Sequence, residues 1–372
     1  MLEGFLDPNQ WPFWILISSI IIMIMGFILR SFLTSVMFAY PNAKFEAIGN
    51  PYIGEKALYS LIDRKNLNEF KETLNLSRDY DIVGEDVSSI QKSLDENFLQ
   101  TINMMRKDSS KKMNDFYTTY LEKIDIYFIK SELKKKILGN KSETDISNMV
   151  LPKTKEFLIK LKESDKENLP ELLLAYGFEK ELIEDIIKEP PNLLNIDGLI
   201  DKHIINRLRQ VDVPYKCEEA KNNFLKRSLD VMNIKNILRA KQLGYDVPTC
   251  KMLFLGEGTE IAPWKFNDLA DLQTPSQVIS ALEGTSYFNV LKDSIELYNR
   301  EDSIQVLENV LDGYFIKLSK DISLKNYLNL GPTIRFLVSK EYEIKNLKMI
   351  VKGISENLPT DFIKGYLITE AV

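Results

Sequence analysis

A catalytic reading of this chain has to start from His203. It is the only histidine, and histidine is the side chain best suited to moving protons near neutral pH. Any histidine-based triad therefore has one candidate for its base. Gly256-Glu257-Gly258 is the nearest approach to a phosphate loop, but it lacks a third glycine and a preceding strand. No G-x-x-x-x-G-K-[ST] occurs anywhere in the chain. Glu218-Glu219 lies in a charge-rich helical stretch, where solvated carboxylates are the default. Cys217 and Cys250 are the only cysteines. Without a C-x-x-C they suit a reducing compartment and offer no metal framework, a disulfide between them being the minor alternative. No His/Cys/Asp cluster has metal-ligand spacing. These residues imply no cofactor, no metal and no small-molecule substrate, so the chain does not read as an enzyme.

What the chain does carry three times is a helix. Ile129-Lys130-Ser131 returns as Ile234-Lys235-Asn236 and as Ile344-Lys345-Asn346, at spacings of 105 and 110 residues. The first two copies run in step to Gly139 and Gly244, and the third closes on Gly353, one residue sooner. A second signature, apolar-Asp-x-x-apolar, places Asp95, Asp201 and Asp312 at spacings of 106 and 111. Each aspartate stands 32 to 34 residues before its own Ile-Lys. Two signatures holding one spacing three times predict three homologous helical modules. His203 falls in the slot of Asn97 and Tyr314, which marks it as an ordinary helix position. Ile129, Ile234 and Ile344 should face the core. Lys235, one position round, should lose little stability on replacement by alanine, as a solvated side chain would.

The totals fit this reading. At 372 residues the chain suits two or three domains. Hydrophobic residues at 44% and charged ones at 27% belong to a folded body. A net charge of −6 argues against nucleic acid as a partner, and Lys134-Lys135-Lys136 reads as a solvated helix surface. Ser88-Ser89 is a candidate cap for the Asp95 helix, Asp125 opens the Ile129 helix, and Thr274-Pro275 is a clear helix start. Proline punctuates the second module at Pro152, Pro170 and Pro190-Pro191. Strand-like alternation is scarce, so the body is all-α.

The N-terminal segment is different in kind. Pro8–Leu29 holds 22 residues, none charged, enough for about 33 Å of helix against a hydrocarbon core of roughly 30 Å. Trp11 and Trp14 stand where an interfacial aromatic belt belongs, and Arg30 follows Leu29 to end the span. A cleaved signal peptide would need a basic leader and a shorter core, whereas Glu3 and Asp7 make this leader acidic. A buried core helix would be unusually long. A single transmembrane helix is the better reading. Arg30 and Lys44 behind it put the bulk of the chain in the cytoplasm and the N-terminus outside. The uncharged run SFLTSVMFAYPNA beyond Arg30 is either an interfacial helix or the first turns of the soluble body. The expected division is a span at 1–34 and modules at 35–146, 147–250 and 251–372.

Several stretches resemble one family. Tyr40-Pro41-Asn42-Ala43-Lys44 resembles the opening of the C subunit of archaeal-type rotary ATP synthases, the counterpart of the d subunit of V-type enzymes. Asn236–Lys241 is similar to a characteristic helix of that family, and Leu282-Glu283-Gly284-Thr285-Ser286-Tyr287, Gly331-Pro332 and Glu341–Leu347 resemble its most specific part. The likeness covers about residues 40–372. It implies three similar helical domains in a funnel with pseudo-threefold symmetry. It also implies a non-catalytic socket between the central-stalk axle subunits and the membrane proteolipid ring, serving ion-driven ATP synthesis. The N-terminal span departs from the pattern, since many members begin near the Y-x-N-A segment. The expected place for that span is the ring's central pore. The competing reading is a membrane-tethered helical scaffold or adaptor with an unrelated partner.

Overall fold

The computed structural model describes residues 8–49, 53–77, 79–140, 151–188 and 193–370. The boundary expected near Ser147, the acidic Glu3 and Asp7, and Pro190-Pro191 lie outside them. Among the described residues there are eighteen α-helices and no strand. Six long helices form the frame, and they come in pairs. The Asp95 helix (Val87–Asp108) precedes the Ile129 helix (Asn114–Ile137). The Asp201 helix (Leu193–Gln210) precedes the Ile234 helix (Glu218–Gln242). The Asp312 helix (Ile304–Lys325) precedes the Ile344 helix (Gly331–Ser355). Short helices lead into each pair.

Local chemistry sets the helix ends. Asp86, not Ser88, caps the Asp95 helix. Its carboxylate accepts from Ser89 N at 3.0 Å, and the Ser89 hydroxyl meets Asp86 N in return. Thr274 and Gln277 make the same reciprocal cap where the sequence predicted a start. Asp125 does not open the Ile129 helix, which begins eleven residues earlier at Asn114. Gly139 and Gly244 take φ of 72° and 71°, so each closes its helix in the left-handed conformation that glycine alone adopts without strain. The third helix does not close on Gly353. It runs to Ser355, and Asn357 takes the left-handed turn at φ 54°. Gly353 is instead buried where Ile363 crosses the helix, at a distance that leaves no room for a Cβ.

The broadest contacts outside a pair join each Ile-Lys helix to the Asp helix of another. The Ile129 helix packs on the Asp201 helix, the Ile234 helix on the Asp312 helix, and the Ile344 helix on the Asp95 helix. The order is cyclic. One hydrophobic cluster runs through all three pairs, from Phe38 to Leu367.

The N-terminal helix is continuous from Trp11 to Ile48 and passes straight through Pro41. Proline inside a helix removes one ladder hydrogen bond, and packing outweighs that here. Phe38, Pro41, Asn42 and Phe45 are buried, and Phe45 stacks on Phe336 of the Ile344 helix at 5.0 Å. The SFLTSVMFAYPNA run is therefore the docked end of the same helix that begins as the apolar segment. From Ile20 to Arg30 every side chain is exposed, so nothing among the described residues covers it.

Candidate functional site

The functional geometry of the described residues lies in how the helix pairs are joined and what the N-terminal helix touches. Each Asp helix is joined to an Ile-Lys helix of another pair by an ion pair at the repeated aspartate. Lys130 reaches Asp201 at 2.5 Å, Lys235 reaches Asp312 at 2.6 Å, and Lys348 reaches Asp95 at 2.5 Å. One turn away, Lys134 pairs with Asp197 and Arg239 with Glu308, so two of the three joints have a second rung. In the third joint the corresponding position is Gln91, whose amide reaches the Lys348 carbonyl at 3.4 Å.

These contacts correct two expectations. Lys235 is not a solvated residue. Its side chain is 14% exposed, and burial pushes its ammonium below the ordinary lysine range against the pull of Asp312. In the third helix it is Lys348 that meets the aspartate, while Lys345 turns to Glu341 at 3.2 Å. By contact, Leu347 is thus the counterpart of Ile129 and Ile234, and Ile344 lies one turn before it. All four apolar residues are buried. The Lys134-Lys135-Lys136 run is also engaged, with Asp197, Glu132 and the Lys162 carbonyl.

A second set of joints carries no repeat signature in the sequence. Asp125, Asp230 and Glu343 each stand four residues before Ile129, Ile234 and Leu347, and each is buried. Each accepts a backbone N–H from the segment that opens another pair's short helices. Asp125 takes Leu151 N at 2.9 Å, and Glu343 takes Ile53 N at 2.7 Å. Asp230 takes Thr259 N, Glu260 N and Ile261 N at 2.8–3.2 Å and the Tyr287 hydroxyl at 3.1 Å. Gly258 explains the glycine-rich loop: a Cβ there would fall 1.8 Å from an Asp230 carboxylate oxygen. Beside these, Asn233 clamps Leu255 N and the Gly256 carbonyl at 3.0 and 2.9 Å, and Asn346 clamps Ile368 N and the Ile368 carbonyl at 2.8 and 2.7 Å. The C-terminal tail therefore occupies on the third helix the place that the opening segment of the third pair occupies on the second.

Residues 41–366 match the family described as ATP synthase (C/AC39) subunit. The chain belongs to that family. Curated relatives, each named as the C subunit of an A-type ATP synthase, include the protein of Methanobrevibacter smithii, 29% identical over 95% of this chain and 93% of its own. That of Methanothermobacter thermautotrophicus is 28% identical over 91% and 90%. That of Methanosphaera stadtmanae is 25% identical over 98% of this chain and 97% of its own, a match that runs through the apolar N-terminal segment. The C/AC39 family is an accessory component of ATP synthase and not its catalytic one. Several residues behind the resemblance hold the joints of this C/AC39 chain together. Tyr287 binds Asp230, Ser286 binds Glu260 at 2.7 Å, and Asn42 donates to the Tyr327 and Asn329 carbonyls at 2.9 and 3.0 Å.

The N-terminal helix touches the turns inside all three pairs. Lys44 pairs with Asp108 beside the first turn at 2.6 Å. Arg30 lies over the Tyr215 ring of the second at 4.3 Å, and Ser31 accepts from Lys216 at 3.0 Å. Asn42 holds the third. Trp11, Trp14 and Leu29 are exposed, with the Trp14 indole donating to the Pro8 carbonyl at 2.9 Å. Trp11–Ile48 is long and apolar enough to cross a membrane.

His203 and the cysteines serve packing. Cys217 and Cys250 are buried and free, and burial pushes the Cys217 thiol up to about 12. His203 is buried against Phe178, with Nδ1 2.7 Å from Glu179. Burial depresses its imidazole below the ordinary value, and the Glu179 carboxylate opposes that only in part. As the only histidine, it can be followed by imidazole NMR without assignment. It should titrate below about 6.5, and Glu179→Gln should lower it further. A depressed histidine stabilises the fold above its unfolded value, and that contribution is lost as pH falls through the folded one. A titration at or above 6.5 would mean that water reaches the ring.

Proposed function

We propose that the chain is a non-catalytic central-stalk subunit of an A-type or V-type ATP synthase. It acts as a socket that seats the axle subunits on the membrane proteolipid ring and passes rotation between them during ion-driven ATP synthesis. Its three helix pairs are copies of one module, bounded near residues 35–146, 147–250 and 251–372 and set as a funnel about a pseudo-threefold axis. The cyclic order of the joints carries this reading. Each pair holds the next and the third holds the first, so a twist applied to one pair is shared by all three. Rigidity of this kind is what a torque-bearing socket needs, and an adaptor has no use for it. The exposed helix roots the socket in the cell membrane, bulk in the cytoplasm and N-terminus outside, with Arg30 and Lys44 on the cytoplasmic side.

Affinity capture of the native protein from detergent extract tests the assignment. Proteolipid and ATP-hydrolysing subunits should come with it, and the purified chain alone should hydrolyse no ATP. Capture of neither component would favour the adaptor.

A socket fixed on the ring turns with it. Its span would meet the stator once per turn if it lay outside the ring, and nothing if it lay in the central pore. The side chains from Ile20 to Leu29 are exposed all round, as a lipid-filled lumen requires. The span therefore descends the pore. Cysteines at Met23 and Met25 should cross-link to lumen-facing cysteines of the ring. Cross-links only to outward-facing cysteines, in a complex that still turns over ATP, would exclude the pore.

A further inference from the structure

Where the N-terminal helix meets the second and third turns, a cavity of about 390 Å³ opens between them. Ser31 and Ser35 line one wall, Lys216 and Lys325 flank it, and Asn329 closes the back. No acidic residue lines it, although acids outnumber bases by 54 to 48 in the chain. Arg30, Lys216 and Lys325 make no ion pair among the described residues. Lys216 holds φ of 63°, a left-handed conformation that lysine rarely adopts. It is kept there by Asn329, which donates to its carbonyl at 3.1 Å, and by its own bond to Ser31. Backbone strain of this sort tends to collect at binding sites. The Asn329 side chain backs the turn, its amide spent on the Lys216 carbonyl and its oxygen buried. Leu324 and Leu328 stand exposed on the rim.

The depth of this cavity selects its occupant. If the span ends at Leu29, residues 31–35 lie within about 9 Å of the hydrocarbon edge by helix rise, in the headgroup layer. We propose that the cavity binds the phosphate headgroup of an anionic membrane lipid. The Lys216 and Lys325 ammoniums and the Ser31 hydroxyl hold the phosphate, and Leu324 and Leu328 meet the first methylenes of the tails. A loop of the proteolipid would reach this depth too, but it would bring peptide groups to a pocket whose unpaired partners are cations.

The proposal rests on the reading of Trp11–Leu29 as a membrane span. The full chain in detergent micelles would be titrated with short-chain phosphatidylglycerol, phosphatidylcholine and inorganic phosphate, with binding read by native mass spectrometry. Phosphatidylglycerol should bind roughly tenfold or more tightly than phosphatidylcholine, on the scale of about two interfacial lysines, and inorganic phosphate more weakly than the lipid. Lys216→Gln with Lys325→Gln should erase the preference while the chain keeps its helical circular-dichroism spectrum, since both side chains are exposed and Lys216 gives up only its bond to Ser31. Equal binding of the two lipids, a preference that survives the double substitution, or inorganic phosphate binding as tightly as lipid would overturn it. So would cross-linking of Lys216→Cys to the proteolipid in a complex retaining no anionic lipid. Extraction of the chain from membranes by alkaline carbonate would separately refute the span, whatever the micelle titration gives.

Discussion

Asp230→Ala should cost the fold roughly 3–5 kcal/mol, read as a shift in the urea midpoint of the purified chain. The carboxylate is fully buried and serves three consecutive N–H groups and the Tyr287 hydroxyl. Alanine removes the acceptor without giving those donors a route to water, and each unsatisfied donor costs about 1–3 kcal/mol. Asp230→Asn should cost about half as much, because one oxygen remains while the amide turns its own hydrogens toward an N–H. Gly258→Ala attacks the same joint from the other side by pushing a methyl into the carboxylate. A loss below about 1 kcal/mol for Asp230→Ala would mean that the loop opens to solvent on its own.

The second large effect is at the repeated pair Ile234-Lys235. Ile234→Asp buries a carboxylate with no partner in the core and should destabilise by about 4 kcal/mol or more. Lys235→Met should cost about 3 kcal/mol, because it strands Asp312, whose side chain is 12% exposed. Asp312 also accepts the buried Tyr342 hydroxyl at 2.7 Å. The double variant Lys235→Met with Asp312→Leu should recover most of that loss, since removing both charges also removes their desolvation. Equal losses in the single and double variants would show that the cost does not come from stranding Asp312, and no loss in the single variant would show that Tyr342 alone holds the carboxylate.

The all-α body, the six long helices and the buried Ile stripe were legible because helical periodicity and stop signals are local. Glycine at 139 and 244 marked two helix ends correctly for that reason. The third end was misread because Gly353 faces a crossing helix, and Asn can replace glycine in a left-handed turn. The passage of the N-terminal helix through Pro41 was hidden by the strong local rule against it, which packing of Phe38 and Phe45 overrides. The aspartate signature was found, but not its partner. A lysine beside an apolar stripe looks solvated until the neighbouring pair is in place. Asp230 left no trace as a motif and Glu343 stood only within the Glu341–Leu347 resemblance, because the backbone amides they hold at Thr259–Ile261 and Ile53 carry no side-chain signature. The one clue was Gly256-Glu257-Gly258, whose missing side chain at 258 makes room for the Asp230 carboxylate.

The joint between the third pair and the first differs from the other two in what lies behind it. From the first pair to the second, and from the second to the third, the polypeptide itself crosses the joint. Between the third and the first, helices pack across the joint but no peptide bond among the described residues makes the link. Glu343 holds Ile53, Lys348 holds Asp95, Asn346 holds the tail at Ile368, and a cavity of about 190 Å³ is left among them. In mechanical terms the molecule is a split hoop, riveted by peptide bonds at two joints and latched by side chains at the third. If the chain is the socket proposed above, hoop tension from a turning shaft would fall hardest on the latch. A chain of this kind should therefore fail by springing open at Glu343 and Lys348, with each helix pair still intact.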